Sequence, residues 1–282
     1  MDFDQHKSGP GEIHVSIRPA DRWSWHELRA LWEYRELLLF LTWRDIKVKY
    51  RQTTVGLLWV ILQPVATMLI FSIFFGRVVG IDSGGLPYPL FAFSGIVPWL
   101  FFSNSVNSSS NSLVGSSNLI TKVYFPRMII PGAAVLAGLV DFLVALVVVG
   151  LTMAWFGVTL TRQIIFLPFL LILTVLLTFG IGLWMAALNV RYRDVRHALP
   201  FILQLWMFAT PIIYPTSLIP PDWRRLINLN PLTGLIDAYR AVLLGRPIDW
   251  SPLLFTSILT LVVLVLAAWY FRRTEEFFAD IV

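Results

Sequence analysis

The sequence contains no cysteine and only four histidines in 282 residues. Disulfide frameworks and thiolate metal sites are therefore excluded. The histidines are dispersed, and none stands four residues from another as a zinc-binding helix requires, so we expect no metal site. No glycine is followed by lysine, which removes the G-x-x-x-x-G-K-[ST] pattern of a phosphate-binding loop. We expect no nucleotide site, no bound cofactor and no catalytic residue in this chain.

Charge is also scarce. Only 14% of the residues are charged, against roughly a quarter in ordinary soluble domains. Hydrophobic residues make up 57% of the chain, and they come in runs close to the roughly twenty residues that a helix needs to cross a bilayer core of about 30 Å. A soluble helix would instead alternate apolar and polar faces. The composition predicts an all-α integral membrane protein.

Six apolar runs predict six transmembrane helices. The first should be kinked at Pro64, because proline removes a helical hydrogen bond and clashes with the preceding turn. The fifth run is short. The predicted spans are residues 56–75, 86–102, 128–156, 164–188, 198–214 and 252–271.

The region before the first span divides in two. Residues 1–22 are polar and contain glycine and proline, which predicts a flexible segment. Residues 23–52 mix tryptophan and leucine with charged side chains, which indicates an amphipathic helix lying in the membrane interface on the cytoplasmic side. A solvated helix packed on a partner remains the alternative. Residues 53–282 form the six-span domain.

The connection between the fifth and sixth predicted spans, residues 215–251, is unusually long and too apolar for a free loop. Two short amphipathic helices fit its pattern best. They are too short and too charged to span. We therefore expect re-entrant or interfacial gate helices on the outer side, where irregular backbone must lie against protein or a water-filled cavity.

The distribution of basic residues predicts the orientation. With the N-terminus inside, the cytoplasmic segments hold sixteen of the 22 lysine and arginine residues. This asymmetry places both termini in the cytoplasm. It also explains the net charge of +5 through contact with anionic membrane lipids, without any nucleic acid.

Residues 42–64, TWRDIKVKYRQTTVGLLWVILQP, resemble the type 2 ATP-binding-cassette (ABC) permeases of the polysaccharide-export group. Four other segments match the family at corresponding places, and together the resemblance covers nearly everything after residue 27. These segments are KVYFPRMIIP at 122–131, NVRYRDVRHALP at 189–200, NPLTGLIDAYR at 230–240 and FRRTEEFFADIV at 271–282.

The resemblance implies a permease subunit in the bacterial cytoplasmic (inner) membrane. It implies a homodimer with a channel on its two-fold axis, and two copies of a separate ABC ATPase that bind ATP and magnesium. The expected cargo is a lipid-linked polysaccharide, with O-antigen as the first choice and teichoic acid, capsule or a small hydrophobic compound as alternatives. A membrane glycosyltransferase is a distant rival, because the outer acidic residues show no paired spacing.

The segment around residues 122–127 resembles the family's ATPase-docking segment. Tyr124 and Phe125 are expected to project beside basic side chains, as interface anchors do. A membrane-surface turn with its aromatics among the headgroups is the alternative. The candidate coupling residues are Lys122, Val123, Tyr124, Phe125, Pro126 and Arg127.

Three further groups of residues are candidates for contact with the cargo. Aromatic side chains can let sugars slide, arginines can meet a carrier diphosphate at the cytoplasmic entry, and the outer helical pair can form a gate. The positive-inside signal alone also explains the arginines. The channel candidates are Trp59, Phe71, Phe74, Trp99, Trp206 and Phe208; the diphosphate candidates are Arg191, Arg193 and Arg196; the gate candidates are Trp223, Leu226, Leu235 and Tyr239.

Asp141 lies in the middle of the third predicted span. An acid at that depth is costly and is a functional candidate by default. A proton relay would need a second buried acid or a histidine, and the sequence offers neither at that depth. We expect a hydrogen-bonded structural aspartate beside a helical neighbour.

Overall fold

The computed structural model describes residues 33–51, 57–123, 125–275 and 278. This part of the chain is helical and contains no β-strand. The predicted flexible segment 1–22 and residues 23–32 of the predicted interface helix lie outside it. The all-α fold class is confirmed.

Ten α-helices and three short helices of other types follow one another along the described chain. The α-helices are α1 Arg35–Arg51, α2 Leu57–Phe71, α3 Tyr88–Gly115, α4 Ser117–Lys122, α5 Ile129–Trp155, α6 Leu167–Arg191, α7 Val195–Ala209, α8 Pro221–Asn228, α9 Pro231–Leu244 and α10 Trp250–Glu275. A π-helix, Ser72–Val78, extends α2, and 3₁₀ helices lie at Arg162–Phe166 and Thr216–Leu218.

Five of the described helices are long and apolar enough to cross a membrane, and they match the first, second, third, fourth and sixth predicted spans. The fifth predicted span contains α7, which has 15 residues and is therefore only about 22 Å long at 1.5 Å per residue. Six spans per chain stays a prediction. The five long helices are Leu58–Val78, Tyr88–Gly115, Ile129–Trp155, Arg162–Arg191 and Trp250–Glu275.

The core is built around α3, which packs against α5 and α6. Phe91, Phe93 and Phe102 are almost completely buried. The Phe101 ring stacks on Phe142 of α5, with 4.7 Å between the ring centroids. Aromatic side chains bury the largest apolar areas, so these contacts fix α3 as the central helix of the protomer.

The second span is longer than predicted. We expected it to end at residue 102, but α3 continues to Gly115 through a stretch rich in serine and asparagine. Glycines on the neighbouring helices explain the difference: Gly138 of α5 lies against Ser105, and Gly182 of α6 lies against Ser109. Small residues let helices approach closely within a membrane, so this polar stretch packs as a helix instead of leaving the bundle.

The described part of the predicted interface helix is α1, which packs along α5. Leu38 lies over Gly132 near the start of α5, and Lys49 reaches Asp141 twelve residues into that helix. α1 therefore runs in the same direction as the first half of α5. Its location in the membrane interface stays a prediction.

Candidate functional site

The predicted coupling segment follows the short helix α4. Lys122 and Val123 are exposed at its end, with 52% of the Val123 surface accessible. Pro126 and Arg127 are half-buried. Tyr124 lies outside the residues that the structure describes. The segment therefore presents a lysine and an apolar side chain that a partner protein can reach.

Phe125 does not project. Only 4% of its surface is exposed, and it packs in an apolar cluster with Leu41 of α1 and Phe271 of α10. The prediction of a projecting aromatic pair is wrong for this residue, because side chains of α1, α5 and α10 enclose the ring. Phe125 anchors the segment to the protomer.

Arg127 ties the same segment to the end of the last span. Its backbone N–H donates to Glu275 Oε1 at 3.1 Å, and its side-chain Nη1 donates to the Glu275 carbonyl oxygen. A hydrogen bond to a charged group is stronger than one between neutral groups. These two contacts join the segment to the end of α10.

The aromatic channel candidates divide by exposure. Trp59 and Phe74 on the first span and Phe208 on α7 each expose more than half of their surface. Trp99 is only 3% exposed and packs on Phe102, so the prediction that it lines a path is wrong. Phe102 and the other residues of the buried core enclose the Trp99 ring.

Two channel candidates are half-buried. Phe71 makes an edge contact with Phe75 at 5.8 Å. Trp206 makes an edge contact with Phe102 and donates its indole N–H to Asn230 Oδ1 at 3.1 Å. Phe71 and Trp206 stay candidates for lining the channel, because each side chain is partly exposed and partly packed against the helix bundle.

The two short helices predicted on the outer side correspond to α8 and α9, and they differ sharply in burial. Trp223 and Leu226 on α8 are 60% and 58% exposed. Leu235 and Tyr239 on α9 are completely buried, and the Tyr239 hydroxyl lies 2.9 Å from Thr174 Oγ1 of α6. The prediction that Leu235 and Tyr239 form an outer gate is wrong, because α9 packs into the helix bundle. Of the four gate candidates, only Trp223 and Leu226 are exposed, and their role in a gate stays a prediction.

A buried arginine holds α9 in place. Arg240 donates to the carbonyl oxygens of Pro211 and Ile212 at 2.7 and 2.6 Å. Its guanidinium lies 3.8 Å from the centre of the Phe91 ring and forms an ion pair with Asp237 at 3.3 Å. The planar fork of arginine suits such multiple contacts, and here it joins α9, the chain after α7 and α3.

The three arginines predicted to meet a carrier diphosphate lie where α6 ends and α7 begins. Arg191, Arg193 and Arg196 are all exposed. Arg191 lies 5.3 Å from the ring of Tyr192, whose surface is 51% exposed. The three side chains are accessible to an anion or to lipid headgroups, and both roles stay open.

Asp141 has two partners on α1. Lys49 Nζ forms an ion pair with Asp141 Oδ2, and the Tyr50 hydroxyl donates to Asp141 Oδ1. Burial, followed by the hydrogen bond from the Tyr50 hydroxyl to the carboxylate, raises the pKa of Tyr50. These partners are what a structural aspartate requires.

Sequence reasoning missed the Lys49 partnership, the Arg240 contacts and the polar stripe of α3. The stripe carried a readable signal, because Asn104, Ser108, Asn111 and Gly115 recur at helical spacing after an apolar run. No such signal exists for Lys49, since the ion pair joins residues 92 positions apart.

The chain is similar to known membrane transport proteins over most of its length. A family described as ABC-2 type transporter matches residues 36–244. The O-antigen export system permease protein RfbA of Myxococcus xanthus is 32% identical over 257 residues, covering 90% of this chain and 98% of that protein. The Klebsiella pneumoniae protein of the same name is 28% identical, covering 87% and 95%. The polysialic acid transport protein KpsM of Escherichia coli is 27% identical, covering 84% and 92%.

Proposed function

This chain belongs to the ABC-2 type transporter family, and from that premise we propose that it is the transmembrane subunit of an ATP-driven exporter. The cargo is a lipid-linked polysaccharide, with O-antigen as the first candidate, moved outward across the bacterial cytoplasmic membrane. The observation that carries the proposal is the 32% identity to an O-antigen export permease across 90% of this chain. Similarity spread over the whole length favours a shared task as well as a shared fold.

Energy comes from a separate ABC ATPase in two copies. The chain lacks the glycine-rich phosphate loop, so ATP and magnesium bind on that partner. The docking surface includes Lys122 and Val123, which are exposed, and the linkage of Arg127 to Glu275 carries its motion to α10. An interface needs exposed side chains backed by a rigid support, and Phe125 supplies that support.

The pathway forms between two copies of the chain. A closed two-fold dimer brings the same surface of both copies together. The exposed Trp59, Phe74 and Phe208 supply aromatic faces for sugars on the first span and α7. Pro64 lies inside α2, where a proline offers a bending point, so the first span is suited to move during opening.

A capsule-type polysaccharide is the second candidate cargo. It is favoured by the 27% identity, across 84% of this chain, to a polysialic acid transport protein. Both candidates share the amphiphilic construction of a lipid carrier with a glycan. They differ in the sugars, which the helices described here do not discriminate.

Deleting the gene in its native host tests the proposal. Each leaflet of the cytoplasmic membrane would be analysed for glycolipid by periodate labelling of spheroplasts and inverted vesicles. We expect undecaprenyl-linked polymer to accumulate on the cytoplasmic side, and its sugar composition identifies the cargo. Restoring the gene should clear the accumulated polymer. Polymer that still reaches the outer leaflet at normal levels in the deletion strain would refute the proposal.

A further inference from the structure

A cavity of about 530 Å³ lies between α1, α2, α3 and α5. This volume falls within the roughly 300–1,000 Å³ of small-molecule sites. Arg44 and Lys49 of α1 border it on one side, and Gln63 and Pro64 of the first span border it on another. It is distinct from the exposed aromatic faces and from the coupling segment.

The wall that α3 contributes is polar. Asn104, Ser105, Ser108, Asn111 and Ser112 all line the cavity, at successive intervals of one, three, three and one residues along the helix. Ser105 is only 2% exposed, whereas Asn104 and Ser108 are exposed. The amide of Asn104 and the exposed amide of Gln63 on the facing wall can therefore reach a ligand in the cavity.

The polar wall lies at membrane depth. Ser105 packs against Gly138, and Phe101 stacks on Phe142. Both partners belong to the apolar third span, nine and thirteen residues after its start at Ile129. Polar groups in hydrocarbon are costly unless they are hydrogen-bonded, so a ligand rich in hydroxyl groups would relieve that cost.

The charges around the cavity cancel. Arg44 forms an ion pair with Asp45 at 2.8 Å, and Lys49 forms one with Asp141. A site for a phosphate would keep unpaired cations. The remaining side chains, hydroxyls and amides on α3 and an amide at Gln63, are the donors and acceptors that uncharged sugars use.

We propose that this cavity binds a neutral sugar residue of a single-chain glycolipid at the cytoplasmic half of the membrane. The proposal rests on the proposed function, and it names which part of the cargo this chain holds before export: a sugar next to the lipid. Asn104 and Gln63 contact the sugar hydroxyls, and the apolar side chains of Val97 and Ala137 in the same cavity contact its carbon–hydrogen faces.

The absence of native cysteine allows a direct binding test. The full chain carrying Ser108→Cys is placed in phosphatidylcholine nanodiscs, and alkylation by a small maleimide is timed. Dodecyl maltoside at ten times its dissociation constant should slow alkylation by about tenfold, because occupied protein is protected by mass action. Dodecyl phosphate should not slow it. Equal protection by dodecyl phosphate, or no protection by dodecyl maltoside, would overturn the proposal.

Three further substitutions separate a specific site from general effects. Ser257→Cys on α10, whose native hydroxyl donates within its own helix, is the matched control and should show no protection by dodecyl maltoside. Adding Asn104→Leu to Ser108→Cys should abolish the protection. Gln63→Leu removes an amide from a different helix and should weaken protection independently, which covers the case in which Asn104→Leu does not fold.

A diacyl glycolipid tests the source of the sugar. Monoglucosyl diacylglycerol in the nanodisc should protect less than dodecyl maltoside, and equal or stronger protection would assign the cavity to a bilayer lipid and overturn the proposal. Because the assay needs neither ATP nor the ATPase, its outcome is independent of the gene-deletion experiment. Protection with normal export in the deletion strain would refute the proposed function alone.

Discussion

Arg240 is a single buried residue that joins three parts of the protomer. Its guanidinium satisfies two backbone carbonyls after α7 and contacts Phe91 of α3. Arg240→Met would leave the carbonyls of Pro211 and Ile212 without a donor. We expect the free energy of unfolding to fall by about 2–3 kcal/mol, since a buried unpaired acceptor costs about 1–3 kcal/mol. Unfolding by sodium dodecyl sulfate in mixed micelles measures the change.

Arg246 provides the matched control for this substitution. It also donates to two carbonyl oxygens, those of Ser83 and Gly84 at 2.8 and 2.9 Å, but it is only half-buried. Arg246→Met should cost less than about 1 kcal/mol, because water can replace the lost donor. Equal losses from the two substitutions would contradict the assignment of Arg240 as the stabilising contact.

Asp141 is predicted to act through its contact with Lys49 and Tyr50. Asp141→Asn should leave the protein folded and exporting, with a modest loss of stability. Adding Lys49→Met to Asp141→Asn should cost less than the two single changes together, because contacting residues couple by about 0.5–3 kcal/mol. A double-mutant cycle on unfolding free energies measures this. A folded Asp141→Asn protein that exports nothing would contradict the purely structural role.

Residue roles were only partly predictable from the sequence. The cost of an acid in the third span drew attention to Asp141, but its partner Lys49 could not be found without the packing of α1 on α5. The predictions that Phe125 projects and that Trp99 lines a path were wrong for the same reason. A local pattern identifies an aromatic side chain without saying which helices enclose it.

At the scale of elements, the coupling segment divides its tasks between adjacent residues. Tyr124→Ala should reduce export and the stimulation of ATPase activity by this chain while leaving the folded yield unchanged. Phe125→Ala should instead lower the free energy of unfolding by about 3–5 kcal/mol, as truncation of a buried phenylalanine does. Coupled ATPase assays and unfolding curves on both variants separate the effects. Normal coupling in a folded Tyr124→Ala protein would remove the segment from the docking surface.

The contact between α9 and α10 depends on a glycine. A Cβ on Gly234 would lie 2.7 Å from the Pro252 carbonyl oxygen, and backbone cannot rotate away as a side chain can. Gly234→Ala should therefore destabilise the protein by about 1–3 kcal/mol through overpacking. The midpoint of thermal unfolding in detergent measures the loss.

Gly150 serves as the control for Gly234. It lies on α5, and a Cβ there meets no described atom within 4 Å. Gly150→Ala should be neutral or stabilising by up to about 1 kcal/mol, because alanine is the better helix former. If Gly150→Ala lowered the stability as much as Gly234→Ala does, close packing at Gly234 would not be the cause of the loss.

The apolar runs predicted element type well and element ends poorly. Five predicted spans correspond to long helices, because an apolar run of that length has no other stable arrangement in lipid. The end of α3 could not be read from hydrophobicity, since its polar turns are packed against Gly138 and Gly182 of other helices. The burial of α9 likewise depends on the whole bundle.

At the scale of the whole molecule, the described protomer presents surfaces for several partners. Aromatic faces on the first span and α7 are exposed, Lys122 and Val123 are accessible beside the last span, and the cavity bordered by Asn104 is the proposed sugar site. We infer that two copies of this chain and two ATPases assemble the path, with both termini of each chain in the cytoplasm.

Reconstituted transport tests this account most directly. Vesicles would contain the purified chain, with or without its ABC ATPase, and an undecaprenyl-linked glycan in one leaflet, and the arrival of glycan in the other leaflet would be followed with a lectin. The account predicts ATP-dependent arrival only when both proteins are present, and no ATP hydrolysis by this chain alone. Hydrolysis by the isolated chain, or equal arrival without the ATPase, would contradict it.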